Sequence, residues 1–256
     1  MAHQEIKRIQ QNASTAVLFV HGILGTPDHF RDLLPLLPEE TSAWALLLDG
    51  HGKDAKAFAK SSMSVWEKQV KQAVEELAAT HDRILIAAHS MGTLFAIDEA
   101  LREPKITGLF LLAVPLYITL KPRAVRNSLK VCFHRVDHDP YALAAERACS
   151  VAIGKNPLAC LGWLPRFCEL LSKAKRTRPL IERLQTRCTV YHSQNDELVS
   201  ARSLKHLLEN DRISVCILPN SGHYAYAESD AACLQEQFRA FAATKTQATG
   251  KGKSSP

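Results

Sequence analysis

The sequence predicts an α/β fold: a mainly parallel sheet covered by helices on both faces and interrupted by one inserted helical segment. Three observations carry this. Short continuous runs of apolar, often branched residues recur at 16–20, 44–48, 84–88, 108–114, 188–192 and 213–218, as buried parallel strands require. Stretches of helical periodicity separate most of them, with short links. Between 116 and 187 the alternation stops, and helical patterns follow one another with no clear buried strand. The chain has 256 residues, 46% of them apolar, which is enough for one such domain with an insertion.

In chain order, residues 1–14 are polar and read as an arm or edge strand. The first buried strand, 16–20, runs into His21-Gly22-Ile23-Leu24-Gly25-Thr26-Pro27. Thr26 before Pro27 signals a helix start, and that helix is expected to pass through Phe30, Leu33 and Leu34 and to end near 35–38. The strand at 44–48 closes on Asp49-Gly50-His51-Gly52, and a lysine-bearing loop leads to Ser64 as a helix cap. Trp66, Val70, Val74 and Leu77 form the apolar face of that helix, and Glu67, Lys71 and Glu75 its polar face. Further helices are expected around Leu204, Leu207 and Leu208 and over 229–243, with Cys233, Leu234, Phe238 and Phe241 inward.

The run 84–88 ends at Ala88-His89-Ser90-Met91-Gly92. A strand turning sharply into a helix with serine at the corner exposes the hydroxyl and demands small neighbours. A serine there can equally cap the following helix. Two more candidates follow later strands. Asp196, in Asn-Asp-Glu after 188–192, can orient an imidazole or cap the next helix, with Glu197 as the fallback acid. His223, in Ser-Gly-His after the last strand, can act as general base to the serine. Ser90, Asp196 and His223 all lie just beyond strand ends, where open parallel sheets place ligands. The backbone N–H of Met91 is one expected oxyanion donor; the second falls to Ile23, with Leu24 as the alternative. His21, His51 and His89 read as structural histidines.

These pieces resemble those of the α/β-hydrolases, and within them the small cytosolic carboxylesterases and monoacylglycerol lipases. The resemblance rests on the 21–27 loop, Gly50-His51-Gly52, the serine corner, Asn195-Asp196-Glu197 and Ser221-Gly222-His223, and covers roughly 15–242. Ala88 stands where glycine is usual, and Thr93 where a second glycine is common. The resemblance implies an α/β-hydrolase core from 1–115 and 188–243, a helical cap at 116–187 and a disordered basic tail at 244–256. It also implies a serine hydrolase cleaving carboxylic esters of short- to medium-chain acids through an acyl-enzyme. Lipid monoesters, as for a monoacylglycerol lipase or lysophospholipase, are the alternative substrate. A catalytically silent binding module is the alternative of another class.

The net charge is +6, yet 116–188 carries fourteen Lys/Arg against five Asp/Glu. Within it runs the apolar series Leu158, Leu161, Trp163, Leu164, Phe167, Leu170, Leu171. One reading packs that series over an acyl pocket, with Trp163 and Phe167 touching substrate. The other gives the segment a weak attraction to anionic membrane surfaces. No metal-ligand spacing and no glycine-rich phosphate loop is present, so no metal, cofactor or nucleic-acid partner is expected. Seven scattered cysteines and no apolar leader or membrane span point to reduced thiols and a cytoplasmic location. Oligomeric state is left open.

Overall fold

The computed structural model describes residues 3–243 except 134, 137, 153, 155 and 156; the expected disordered tail at 244–256 lies outside the described residues. A seven-stranded sheet runs in the order β1-β3-β2-β4-β5-β6-β7. The strands are β1 Ile6–Arg8, β2 Thr15–Val20, β3 Ser42–Ala45, β4 Arg83–His89, β5 Ile106–Leu112, β6 Arg187–Ser193 and β7 Ile213–Leu218. All neighbours pair parallel except β1, which pairs antiparallel with β3. β1 is the edge strand expected from the polar arm, and its charged residues suit an edge.

Alternate residues of the strands face two cores. Leu18, Val20, Ile84, Ile86 and Ala88 pack with Trp66, Val70, Val74 and Leu77 of α2 (Met63–Thr80) and with Leu94 and Ile97 of α3 (Met91–Ala100). Val17, Phe19, Leu85 and Ala87 pack on the other face with Phe30 and with Leu234 and Phe238 of the closing helix α8 (Glu228–Ala243). A side-chain period of two thus divides each strand between opposite layers.

Several expectations shift locally. The helix after Thr26 is two short 3-10 turns, Pro27–Phe30 and Leu34–Leu36; Pro35 and Pro38 prevent a longer ladder. Thr26 does cap the first turn, accepting the Asp28 N–H. β3 starts two residues before the apolar run and stops at Ala45. The lysine-bearing loop contains α1 (Ala55–Lys60), started by Asp54, whose carboxylate accepts the Ala57 N–H. α2 is capped by Ser62, not Ser64, through the Val65 N–H. In α8, Leu234 and Phe238 are buried while Cys233 and Phe241 are half-buried. α7 spans Arg202–Leu207.

Between β5 and β6 lie α4 (Pro122–Cys132), α5 (Pro140–Ala148) and α6 (Leu164–Thr177), with no strand among the described residues there. α6 lies against the sheet domain, not above it: Leu170 and Ala174 join the core of α2 and α3. Lys173 on α6 is 3% exposed. It bonds Glu67 of α2 at 2.8 Å and also Asp98 of α3. A buried ammonium needs such compensation, and the triad ties α6 to the helix that follows Ser90.

Candidate active site

Ser90 sits at the β4–α3 corner with φ 49° and ψ −122°, a conformation that costs a non-glycine residue about 1 to 3 kcal/mol. Its N–H donates to Leu112 O at 2.9 Å, which fixes the corner to the end of β5. Its hydroxyl does not cap α3, so the capping reading of Ser90 fails. The turn has room for nothing larger than its glycines. A Cβ on Gly92 would stand 2.2 Å from Val20 O, and one on Gly22 would stand 2.9 Å from Ser90 Cβ. Ala88 fits because its methyl points out of the sheet into the packed core shared with α2 and α3. Thr93 also fits: its hydroxyl donates to Ser90 O at 2.6 Å.

The acid and base loops meet at the ends of β6 and β7. Asn195 N–H donates to Ser221 O at 3.1 Å and Gln194 N–H to Leu218 O at 2.9 Å. Asp196, 1% exposed, divides its two oxygens. Oδ1 accepts the N–H groups of Leu198 and Val199, each at 2.8 Å, and Oδ2 takes His223 Nδ1–H at 2.9 Å. Asp196 does not cap the next helix, which starts at Arg202 behind Ala201 with no side-chain cap; its Oδ1 closes a local turn instead. Burial pushes its carboxyl up, but the charge and hydrogen bond of His223 and the two backbone donors outweigh it and hold it below the ordinary carboxylate value. Glu197 does not reach the ring; its Oε2 takes the His223 backbone N–H at 3.1 Å. With Nδ1–H on Asp196, the lone pair of His223 is on Nε2, which is buried and has no partner among the described residues.

His89 brings this base to the serine corner. Its ring centroid lies 4.8 Å from that of His223, and its Nε2–H donates to His223 O at 3.1 Å. His29 packs on His89 with ring centroids 3.9 Å apart. His21 orders the loop beside Ser90: Nε2 accepts Leu48 N–H at 3.1 Å, which leaves Nδ1–H to donate to Gly22 O at 2.8 Å. The same loop turns through Gly25 N–H to Gly22 O at 3.0 Å, with Leu24 at φ 59°. His51 stacks edge-on against His21 at 4.7 Å. Burial lowers the pKa of all four, to about 4 for His21 and about 3 for His29, and well below the ordinary value for His51 and His89. They are neutral structural groups at neutral pH.

Neither Ile23 N–H nor Met91 N–H is engaged by a backbone acceptor among the described residues; Met91 opens α3, where the first N–H groups have no intrahelical partner. No group of three or more His, Cys, Asp or Glu is placed to hold a metal among the described residues. Trp163 and Phe167 are not brought to Ser90. Trp163 is 5% exposed, packs on Phe58 and donates to Ala55 O at 3.2 Å. Phe167 is on the outer side of α6, 36% exposed. Sequence reasoning missed Lys121, Arg123 and Tyr141, which grip the acid–base loops from α4 and α5; basic residues on an amphipathic helix carry no signal of which one turns inward.

A parallel sheet with a serine corner after β4 and an Asp–His pair on the loops after β6 and β7 is the architecture of an α/β-hydrolase. The chain belongs to the alpha/beta hydrolase family, whose profile matches residues 17–236. No curated protein sequence matches it significantly. Solved structures share the fold at low identity. A metagenome-derived lipolytic enzyme from the LipS and LipT study is 20% identical, with 94% of this chain and 97% of that one covered and a TM-score of 0.71. The monoacylglycerol lipase of Paleococcus ferrophilus is 16% identical (94% and 99% covered, TM-score 0.62). A soluble variant of monoglyceride lipase from Saccharomyces cerevisiae is 12% identical (93% and 89%, TM-score 0.65).

Proposed function

We propose that the chain is a serine hydrolase that cleaves carboxylic esters through an acyl-enzyme on Ser90. The observation that carries this is the buried Asp196–His223 pair, whose Nε2 has no partner among the described residues and whose loop is tied through His89 to the strained serine corner. His223 Nε2 takes the Ser90 hydroxyl proton as Oγ attacks the ester carbonyl carbon. Met91 N–H and Ile23 N–H, or Leu24 N–H in its place, receive the oxyanion. Collapse breaks the bond to the leaving alkoxide, which takes the proton from His223. Water then repeats the sequence and releases the acid. Asp196 holds the imidazole tautomer and stabilises the imidazolium throughout. A complete triad argues against a silent binding module.

Short- to medium-chain esters are the leading substrates, and α4 and α5, whose Lys121, Arg123 and Tyr141 touch the acid and base loops, are the part of 116–187 that borders the site. Lipid monoesters are favoured by one specific observation. Nine of the thirteen large apolar side chains exposed among the described residues lie between 120 and 171. Leu120, Val125, Leu129 and Phe133 line an open groove of about 680 Å³ with Arg126, Lys130 and Arg135 beside it. Leu158, Leu161, Leu164 and Leu171 also face outward. Apolar side chains flanked by cations suit the boundary of an anionic bilayer. Seven unpaired cysteines, with no helix long and apolar enough to cross a membrane among the described residues, support a reducing, cytoplasmic setting.

The test is a panel of p-nitrophenyl esters of rising chain length beside monoacylglycerol and lysophospholipid. Turnover of esters that vanishes in Ser90→Ala supports the reading; no turnover of any member overturns it. Hydrolysis on anionic vesicles is expected to fall with salt while that of a soluble ester does not. Equal salt response removes the membrane contact.

A further inference from the structure

We propose that Arg123 and Glu197 form a positioning clamp through which the segment between β5 and β6 sets the placement and charge environment of His223. This rests on the reading of His223 as the base.

The chain leaving β5 is zipped onto the acid loop. Ser200 N–H donates to Tyr117 O and Thr119 N–H to Leu198 O, both at 2.8 Å, and Lys121 N–H donates to Glu197 O at 3.1 Å. Lys121 Nζ then bonds Asp196 O at 2.5 Å, and Arg123 Nη2 bonds Asn195 O at 2.5 Å. α4 begins at this point, so its first turn is moored to the backbone of the catalytic acid.

Glu197 is the pivot. Its side chain is 5% exposed, and one oxygen, Oε2, faces both the His223 N–H at 3.1 Å and Arg123 Nη2 at 3.5 Å. A buried carboxylate without a cation is costly, so Arg123 is what permits a second negative charge beside Asp196. The guanidinium is held in turn over the Tyr141 ring at 4.0 Å. Tyr141 closes the circuit against the base loop, since a Cβ on Gly222 would meet Tyr141 Cε1 at 2.7 Å and Glu197 Oε2 at 3.0 Å. Asp196 thus fixes the imidazole ring, while Glu197 fixes the backbone that carries it.

The charges make opposite predictions for the two partners. Without Arg123 the Glu197 carboxylate is uncompensated and favours the imidazolium of His223. Without the Glu197 charge, Arg123 is uncompensated and disfavours it. The other groups facing His223 are Asp196, His89 with His29 packed on it, His192, Tyr224 and, through Asp196, Lys121; none is changed in these variants.

The experiment measures kcat/KM against pH on p-nitrophenyl acetate for wild type, Arg123→Ala, Arg123→Lys, Glu197→Gln and the Arg123→Ala/Glu197→Gln double variant, with thermal midpoints alongside. The acid limb is expected to move up by about half a unit or more in Arg123→Ala and down by a similar amount in Glu197→Gln. It should return towards wild type in the double variant and in Arg123→Lys. Limbs that stay in place, or move in the same direction in both single variants, overturn the clamp, whatever the midpoints do. If alanine at 123 does not fold, Arg123→Gln carries the same test, because it keeps a donor for Asn195 O. NMR titration of His223 Cε1–H reads the same displacements without turnover. A wild type that hydrolyses nothing therefore counts against the proposed function alone.

Discussion

Replacing Gly22 by alanine tests how tightly the loop after β2 holds the serine. The added Cβ would stand 2.9 Å from Ser90 Cβ and 3.2 Å from His89 Nδ1. Non-bonded carbons rest about 3.5 to 4.0 Å apart, so the two must separate by roughly 0.6 to 1.1 Å by that measure. Ser90 has little freedom to retreat. Its N–H is held on Leu112 O at 2.9 Å, and two residues on, Gly92 is pressed against Val20 O. A displacement of about 1 Å at a reacting group costs on the order of 10²-fold in rate, near 2.7 kcal/mol of transition-state stabilisation. Overpacking alone costs about 1 to 3 kcal/mol of stability, roughly 2 to 10 °C in midpoint for a domain of this size. The assay is kcat on p-nitrophenyl acetate, whose small acyl group needs no cap contact, with calorimetry on the same samples. The expected outcome is a kcat loss between ten- and a hundred-fold in a folded protein. A kcat within three-fold of wild type refutes the close approach.

Asp196→Asn should keep both backbone hydrogen bonds to its Oδ1 and lose the charge on His223, lowering kcat by about 10³- to 10⁴-fold with the fold intact; a milder effect than that of Glu197→Gln would assign the acid to Glu197. His21, held neutral to about pH 4 by burial, contributes stability that is complete above its unfolded value near 6.5 and is lost as pH falls towards 4. By pH 5 the loss is about 2 kcal/mol for this residue alone, and His29, His51 and His89 act in the same direction. Urea unfolding at pH 7 and pH 5 reads this, and an unchanged free energy at the two values contradicts it. Trp163→Ala should destabilise by about 3 to 5 kcal/mol, because the indole is buried on Phe58. Phe167→Ala, at a half-exposed position, should leave the midpoint within a degree or two; the calorimetric pair separates the two roles.

The strands of the central sheet were legible because a parallel strand buried on both faces must be continuously apolar, as 84–88 and 109–112 are. The serine corner was legible because its geometry tolerates only small residues at set spacing. What escaped was set by tertiary contact. α1 is a polar-looking stretch whose Phe58 and Ala55 are covered by Trp163, over a hundred residues away in sequence. The outward face of Leu158, Leu161, Leu164 and Leu171 was hidden because periodicity locates an apolar stripe without saying what it faces. Trp163 and Leu170 turn inward from the same series, towards α1 and α3, and separating them from their neighbours required the packing. Arg123 and Lys121 looked like other cations of a basic helix until the acid loop was seen beneath them.

The proposed nucleophilic role of Ser90 is decided by intact-mass spectrometry after treatment with a fluorophosphonate. One adduct per chain is expected on wild type, mapped to the peptide containing Ser90, and none on a folded Ser90→Ala variant. An adduct that persists in that variant, or an esterase-active wild type that takes none, contradicts it.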